Sequence, residues 1–224
     1  KSSDGMLAQK LGAGDLTIST AGVSGFSNGV VAFAENGVLN VSSTGTVTGT
    51  SFSGISATNN NGGDLTVSAA DVSGRSTGIK TQHYGSGSTS ITATGTVTVT
   101  GPAGDGIFAR NGNTANPDGT DMTVLAANVT GTDDGIDVRN YGSGAVNIIT
   151  TGTVRGTGNN GIYVNNKGAG LTSVTVSGLV QGGPGVYPAT GSGISTVTGA
   201  GKSSIITLNA GGVVGNYYGD AISN

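Results

Sequence analysis

Short segments in which apolar and polar residues alternate recur along the chain. The clearest segments place two apolar residues around a polar one, which is the period-two pattern of a strand with one buried face. Helical spacing is missing, and each of the frequent glycines would cost a helix interior about 1 kcal/mol relative to alanine. The chain is therefore predicted to be all-β. The segments are Leu16-Thr17-Ile18, Leu39-Asn40-Val41, Leu65-Thr66-Val67, Met122-Thr123-Val124 and Val146-Asn147-Ile148.

A second short strand is marked by a valine that stands two residues before a glycine, often after Thr-Gly-Thr. These anchor valines recur about every 25 residues, with longer steps after Val97 and Val180. A fixed period of this kind is the signature of stacked architectures. The two longer steps predict inserted loops near residues 111–121 and 184–201. The anchors are Val23, Val47, Val72, Val129, Val154, Val180 and Val213, and Val97 fits the same row without the glycine.

A third strand follows the pattern Gly-Ile-x-Ala/Val-x-Asn. Because alternate residues of a strand share a face, the isoleucine, the small residue and the asparagine are expected to point inward. The asparagines should then form a structural ladder at one corner, hydrogen-bonded to one another or to the backbone. His83 stands at the same place in one repeat, where a ladder rung is preferred over a ligand or a base. The ladder consists of Asn59, His83, Asn111, Asn140 and Asn166.

One repeat, with three short strands in roughly 25 residues, is too small to bury a core alone, so neighbouring repeats must cover one another. Residues 1–224 are expected to form one segment of a parallel β-helix (β-solenoid) with about eight coils. Glycines suit its corners, where φ > 0 is expected. A β-propeller or a sandwich is the alternative, but a propeller blade needs about 40 residues and four strands.

Composition narrows the possible partners and cofactors. The formal net charge of -3 offers no basic footprint for nucleic acid. The chain has no Cys, which removes disulfides, thiolate metal sites and cysteine nucleophiles. No apolar run reaches the roughly 18 residues of a membrane span. Segments such as Gly62-Gly63-Asp64-Leu65 lack the period of calcium-binding nonapeptides, so no metal site and no cofactor are predicted.

The tandem motifs Thr-Gly-Thr-Val-x-Gly and Gly-Ile-x-Val-x-Asn, over nearly the whole chain, resemble passenger domains of Gram-negative autotransporters. The resemblance implies a single right-handed parallel β-helix that is secreted through the outer membrane and displayed at the cell surface. It further implies that this segment is a fragment of a longer passenger whose parent carries a C-terminal outer-membrane barrel. Two-partner secretion adhesins and phage tail proteins stay open as alternatives.

The resemblance also implies a non-enzymatic stalk that mediates adhesion or self-association, the role of an adhesin in virulence. Its partners would be a host surface receptor, matrix or glycan, or another copy of the chain. Strand alternation supplies a candidate binding surface, an outward column with two arginines beside it. Exposed aromatic residues next to arginine are enriched in interaction hot spots. The candidate residues are Lys80, Phe108, Asp137 and Tyr163 in the column, and Arg110 and Arg139 beside it.

Two other functions are alternatives. Polysaccharide-active β-helix enzymes, glycoside hydrolases or lyases, use clustered aspartates, and Asp133, Asp134 and Asp137 form such a cluster in sequence. An enzyme would place Asp133, Asp134 and a basic residue around a concave cleft, whereas a stalk would be smooth there. A polar turn is the preferred interpretation, so no catalytic residue is assigned. Threonine arrays such as the one from Thr94 to Thr100 suggest an ice-binding protein, but the intervening coils interrupt the array.

Overall fold

The computed structural model describes residues 3–184, 191–200, 202–216 and 220–223. Every strand pair within these ranges is parallel, and no helix occurs there, hence none that is long and apolar enough to cross a membrane. The strands of the described residues are β1 (Met6–Lys10), β2 (Leu16–Thr20), β3 (Val23–Gly25), β4 (Val30–Ala34), β5 (Leu39–Ser43), β6 (Val47–Gly49), β7 (Ser53–Asn59), β8 (Leu65–Ala69), β9 (Val72–Gly74), β10 (Thr77–His83), β11 (Thr89–Val99), β12 (Ile107–Asn111), β13 (Met122–Gly131), β14 (Ile136–Asn140), β15 (Val146–Thr150), β16 (Val154–Gly156), β17 (Ile162–Asn166), β18 (Thr172–Val176), β19 (Leu179–Gly182), β20 (Ile194–Thr198), β21 (Ser204–Leu208), β22 (Val213–Asn216) and β23 (Ile222–Ser223).

The strands form a β-solenoid of about eight turns with about 26 residues per turn. Face A is the sheet β1-β4-β7-β10-β12-β14-β17-β20-β23. Face B is the row β2-β5-β8-β11-β13-β15-β18-β21, and face C holds the short strands that carry the anchor valines. Most coils have the three separate strands that the sequence predicts. In two coils, β11 and β13 run without a break across faces B and C.

In-register stacking brings like residues of successive coils together in the core. On face A, Ile79 pairs with Ile55 on one side and Ile107 on the other, and all three are fully buried. On face C, Val97 pairs with Val72 and Val129. Full burial of such a side chain contributes roughly 1.5–3 kcal/mol. The core is therefore a set of continuous aliphatic columns that no single repeat forms alone.

The glycines serve a different purpose from the expected one. Among the described residues only Gly12, Gly14, Gly22, Gly37, Gly112 and Gly211 have positive φ, so left-handed corners explain few of them. The glycine before each face A strand is instead needed for close approach. A Cβ on Gly106 would lie 2.3 Å from Val129 Cγ1 and 2.6 Å from the Gly135 carbonyl oxygen. The coils stack so closely at this corner that a side chain there has no room.

Of the two predicted inserted loops, the first lies between strands as expected and the second is shorter than predicted. Residues 112–121 contain no strand and connect β12 to β13, and Asn113 Oδ1 accepts hydrogen bonds from the amides of Ala115 and Asn116. The prediction for residues 184–201 is wrong in its extent, because Ile194–Thr198 is β20 and pairs with β17. Residues 185–190 and 201 of that span lie outside the described residues. The last anchor is also shifted by one position, since Val214 rather than Val213 pairs with Val180.

Candidate functional site

The six predicted binding residues lie together on the outer side of face A, and we call them the contact strip. Lys80, Phe108, Asp137 and Tyr163 are register partners on β10, β12, β14 and β17. Arg110 and Arg139 pair in the neighbouring column. Five of the six side chains are half-buried, which leaves part of each accessible from outside.

Asp137 does not match the expectation of an exposed column, because only 1% of it is accessible. Arg139 covers it: Arg139 Nη2 donates to Asp137 Oδ2 at 2.6 Å, and Nε lies 3.1 Å from both carboxylate oxygens. Strand alternation correctly predicts that the Asp137 side chain points outward, but it does not predict that Arg139 covers that side chain. Asp137 therefore acts through the ion pair rather than as an independent surface charge.

Cations stack on aromatic rings along and beside the strip. The Arg139 guanidinium lies 5.4 Å from the centre of the Phe108 ring, and that of Arg110 lies 5.1 Å from the centre of the Tyr84 ring. Lys167 Nζ is 5.1 Å from the centre of the Tyr141 ring. Contacts within about 6 Å of the ring centre are attractive. The strip is thus part of a wider band in which aromatic and cationic side chains hold one another in place.

A cleft of about 250 Å³ lies where face A meets the preceding corner, and we call it the acidic cleft. Asp105 from one coil and Asp134 and Asp137 from the next each place a carboxylate oxygen within 4.8 Å of the others. The cleft holds Asp133, Asp134 and the basic residue Arg139, an arrangement expected of an enzyme rather than of a smooth stalk. The lining residues are Asp105, Asp133, Asp134, Asp137, Arg139, Asn159, Asn160 and Tyr163.

A second hollow of about 210 Å³ adjoins the acidic cleft. It is lined by Thr77, Lys80, Gln82, Asp105 and Phe108, and it shares Asp105 with the cleft. We call the two hollows together the axial groove, because they follow one another from coil to coil. The groove joins a basic end at Lys80 to an acidic end around Asp134.

Burial is the main cause of the altered acidity in the cleft. Burial, reinforced by the charge of Asp137, raises the pKa of Asp105 to about 7. Burial also raises the pKa of Asp134 to about 7, although hydrogen bonds from Asn160 oppose the change. The pKa of Asp137 is raised by burial against the opposing effect of Arg139. Near neutral pH the cleft therefore contains both protonated and ionised carboxyl groups.

Two of these aspartates belong to a row of side chains that we call the corner ladder, in which each residue precedes the glycine that begins a face A strand. Asp105 Oδ1 accepts from the amide of Asp134 at 3.3 Å, and Asp134 Oδ1 accepts from the amide and Nδ2 of Asn160 at 2.7 and 2.9 Å. Asn160 Oδ1 in turn accepts from the amide of Ser192. Each position of this ladder needs only an acceptor oxygen, which a neutral asparagine such as Asn160 also supplies. Two successive aspartates are therefore not required by the ladder itself.

The asparagine ladder lies at the opposite end of the face A strands. Asn59, His83, Asn111, Asn140 and Asn166 are all buried, with exposures of 0–1%. Their polar atoms face the tight turns that follow each strand rather than solvent. This is the inward orientation that the Ile, Ala/Val, Asn spacing predicts.

Hydrogen bonds connect these rungs to each other and to the backbone. Asn140 Nδ2 donates to the Gly144 carbonyl at 3.0 Å and to Asn166 Oδ1 at 3.2 Å. Asn166 Nδ2 donates to Thr172 Oγ1 at 3.1 Å. His83 Nδ1 lies 3.2 Å from Thr89 Oγ1, and burial lowers the pKa of His83. The position of His83 is that of a neutral structural rung.

Sequence reasoning missed Asp105, Asn159 and Asn160, which complete the cleft. Asp105-Gly106-Ile107 repeats Asp134-Gly135-Ile136 at the same place in the preceding coil, and this alignment could have identified Asp105. Three carboxylates are ligands of the kind that hard cations take, but Ca²⁺ uses six to eight oxygens. Asp105, Asp134 and Asp137 would supply only part of such a site.

Comparisons with known proteins give no relative: no family model, no curated protein and no solved structure matches this chain.

The raised pKa of Asp134 predicts a pH-dependent gain from Asp134→Asn. The folded chain keeps a proton that the unfolded chain, with an ordinary aspartate pKa of 3.8, releases, so stability falls as pH rises from about 4 to about 7. Asn160 shows that asparagine fits this ladder. We expect Asp134→Asn to raise the apparent Tm at pH 8 by roughly 2–8 °C and to leave it unchanged near pH 4.

Thermal melts followed by circular dichroism at both pH values measure this difference. Asp118→Asn, in the exposed connection between β12 and β13, is the matched control and should be neutral at both. A lower Tm for Asp134→Asn at pH 8, or the same gain at pH 4, would contradict the account.

Proposed function

We propose that this β-helix is a non-enzymatic stretch of a secreted, surface-displayed passenger of the autotransporter type, and that the contact strip on face A binds its partner. The repeat motifs support the passenger assignment through their resemblance to that class. Secretion through the outer membrane, display at the cell surface and a C-terminal barrel in the parent protein belong to the same proposal. The partner is a host surface receptor, matrix or glycan, or a second copy of the chain, and no cofactor takes part.

The observation that carries this proposal is the uneven distribution of large side chains over the three faces. Charged residues make up only 9% of the chain, yet cationic and aromatic residues cluster on a few neighbouring coils of face A. Four successive outer positions of face C are instead small hydroxyl residues, the register partners Thr48, Ser73, Thr98 and Thr130, and a single arginine, Arg155, follows them. Folding requires no such concentration on one face, whereas recognition by arginine and aromatic side chains does.

Removing accessible side chains of the strip should abolish attachment without unfolding the solenoid. The variant Phe108→Ser, Arg110→Gln, Tyr163→Ser retains the Arg139–Asp137 ion pair, so no buried charge is left alone. We expect adhesion and aggregation of cells that display the chain to fall at least about tenfold, because hot-spot truncations cost about 2 kcal/mol or more.

The matched control is Phe26→Ser, Phe52→Ser, Arg155→Gln, which removes two aromatic residues and one arginine that are exposed elsewhere. Circular dichroism and the Tm should be the same for both variants. Equal attachment by the strip variant and the wild type would move the activity to another surface, first to residues 112–121.

A glycoside hydrolase is the second candidate, and the acidic cleft favours it. Asp105, whose pKa is raised to about 7, resembles a general acid, and the Asp137 carboxyl group nearby resembles its partner. Against this, the Asp134 carboxylate is held by Asn160 and that of Asp137 by Arg139, so neither is placed to attack or protonate a glycosidic bond.

An assay of reducing ends released from polysaccharides decides between the two functions. A non-enzymatic stalk releases none above the buffer blank. Release by the wild type that is lost in Asp105→Asn would establish the hydrolase instead. The control Asp118→Asn should behave like the wild type in either case.

A further inference from the structure

The axial groove is concave and follows the long direction of the solenoid. Its residues lie on β10, β12, β14 and β17 or in the turns before these strands, and adjacent parallel strands lie about 4.8 Å apart. The floor therefore extends roughly 14 Å from Lys80 to Tyr163. A narrow hollow of this length accepts a short chain molecule better than the convex surface of a folded protein.

The polar groups of the groove both donate and accept hydrogen bonds. Asn159 and Gln82 supply amides, and Tyr163 supplies a phenol. Asp105 and Asp134, which hold protons near neutral pH, add O–H donors beside carboxylate acceptors. Hydroxyl groups of a ligand, which donate and accept at once, match a lining of this kind.

Two aromatic rings lie in the same column of the groove. Phe108 and Tyr163 occupy the coils on either side of Asp137, so they are roughly 10 Å apart along the axis. Each ring is half-buried and offers its accessible apolar surface between polar groups, with the Arg139 guanidinium 5.4 Å from the centre of the Phe108 ring. This alternation suits a molecule whose rings have apolar C–H faces and hydroxyl-bearing edges.

The charges of the groove argue against a charged ligand of either sign. Four aspartates line the acidic cleft, which disfavours an anion there. Lys80 lines the other end and Arg139 lies in the middle, which disfavours a polycation along the whole length. An uncharged ligand avoids both costs.

We propose that the axial groove binds a short, uncharged segment of glycan, laid along the solenoid axis with sugar rings on Phe108 and Tyr163 and hydroxyl groups on the aspartates and amides between them. The proposal rests on the proposed function, since it names the ligand class of face A. It requires no bond to be made or broken.

Isothermal titration of the purified chain with hexasaccharides and one cationic hexapeptide tests the proposal. The neutral probes are hexamers of glucose, galactose, mannose, xylose and N-acetylglucosamine. The charged probes are the hexamer of galacturonic acid and hexalysine. We expect at least one neutral hexamer to bind at pH 6 with at least tenfold higher affinity than either charged probe. Binding by none of the neutral hexamers, or tighter binding by a charged probe, overturns the proposal.

Variants locate the ligand. Phe108→Ser with Tyr163→Ser should weaken neutral binding at least tenfold, whereas Phe26→Ser with Phe52→Ser should leave it unchanged. Asp105→Asn with Asp134→Asn should bind equally at pH 6 and pH 8.5, while the wild type weakens at pH 8.5 as its O–H donors are lost. Binding that survives loss of both aromatic rings, or equal pH dependence in the double Asn variant, overturns the placement in the groove.

The cell assay separates this inference from the proposed function. Attachment that depends on the contact strip, together with no binding of neutral hexamers, leaves the proposed function standing and removes the glycan. Binding of a neutral hexamer in the groove, together with unchanged attachment by the strip variant, leaves the glycan site standing and removes the proposed function.

Discussion

The structure depends on one constraint, the in-register stacking of coils at the spacing of parallel strands. Because each residue lies above its equivalent, a side chain that fits once must fit in every coil, and aliphatic columns such as Ile55, Ile79 and Ile107 result. The same closeness excludes Cβ atoms at corners such as Gly106, where the anchor valine of the next coil fills the space. Stability therefore comes from contacts between repeats rather than within them.

Stacking also decides what polar residues do. At both ends of the face A strands, amides and side-chain oxygens of neighbouring coils pair, which satisfies groups that the tight turns bury. The corner ladder uses Asn or Ser where a neutral acceptor is enough. The two successive aspartates at 105 and 134 depart from that pattern, and the charge of Asp105 adds to the burial that raises the pKa of Asp134. These two aspartates lie next to the aromatic and cationic band, so the features that point to binding are concentrated in this part of face A.

Periodicity predicts most of the fold and only half of the site. The strand alternation is enough to place Phe108 and Tyr163 in one column and to turn Asn140 inward, because both follow from a period of two. It does not predict that Arg139 folds over Asp137, since that contact depends on rotamers and on the acids of adjacent coils. The extent of the second insertion was wrong because Ile194–Thr198 lacks the Ala/Val and Asn of the motif although it pairs in register. Asp105 was overlooked because it is isolated in sequence and clustered only in space.

Disulfide trapping in this cysteine-free chain tests the stacking most directly. Thr123 and Asn147 are register partners on the outer side of β13 and β15, at the short separation that a disulfide spans. Ser173 is one coil further, roughly 10 Å from Thr123 and beyond that reach. Mild oxidation should link Thr123→Cys to Asn147→Cys almost completely and should leave Thr123→Cys with Ser173→Cys as free thiols. Equal linkage in both pairs, or linkage in the second pair alone, would contradict the coil register on which the whole account depends.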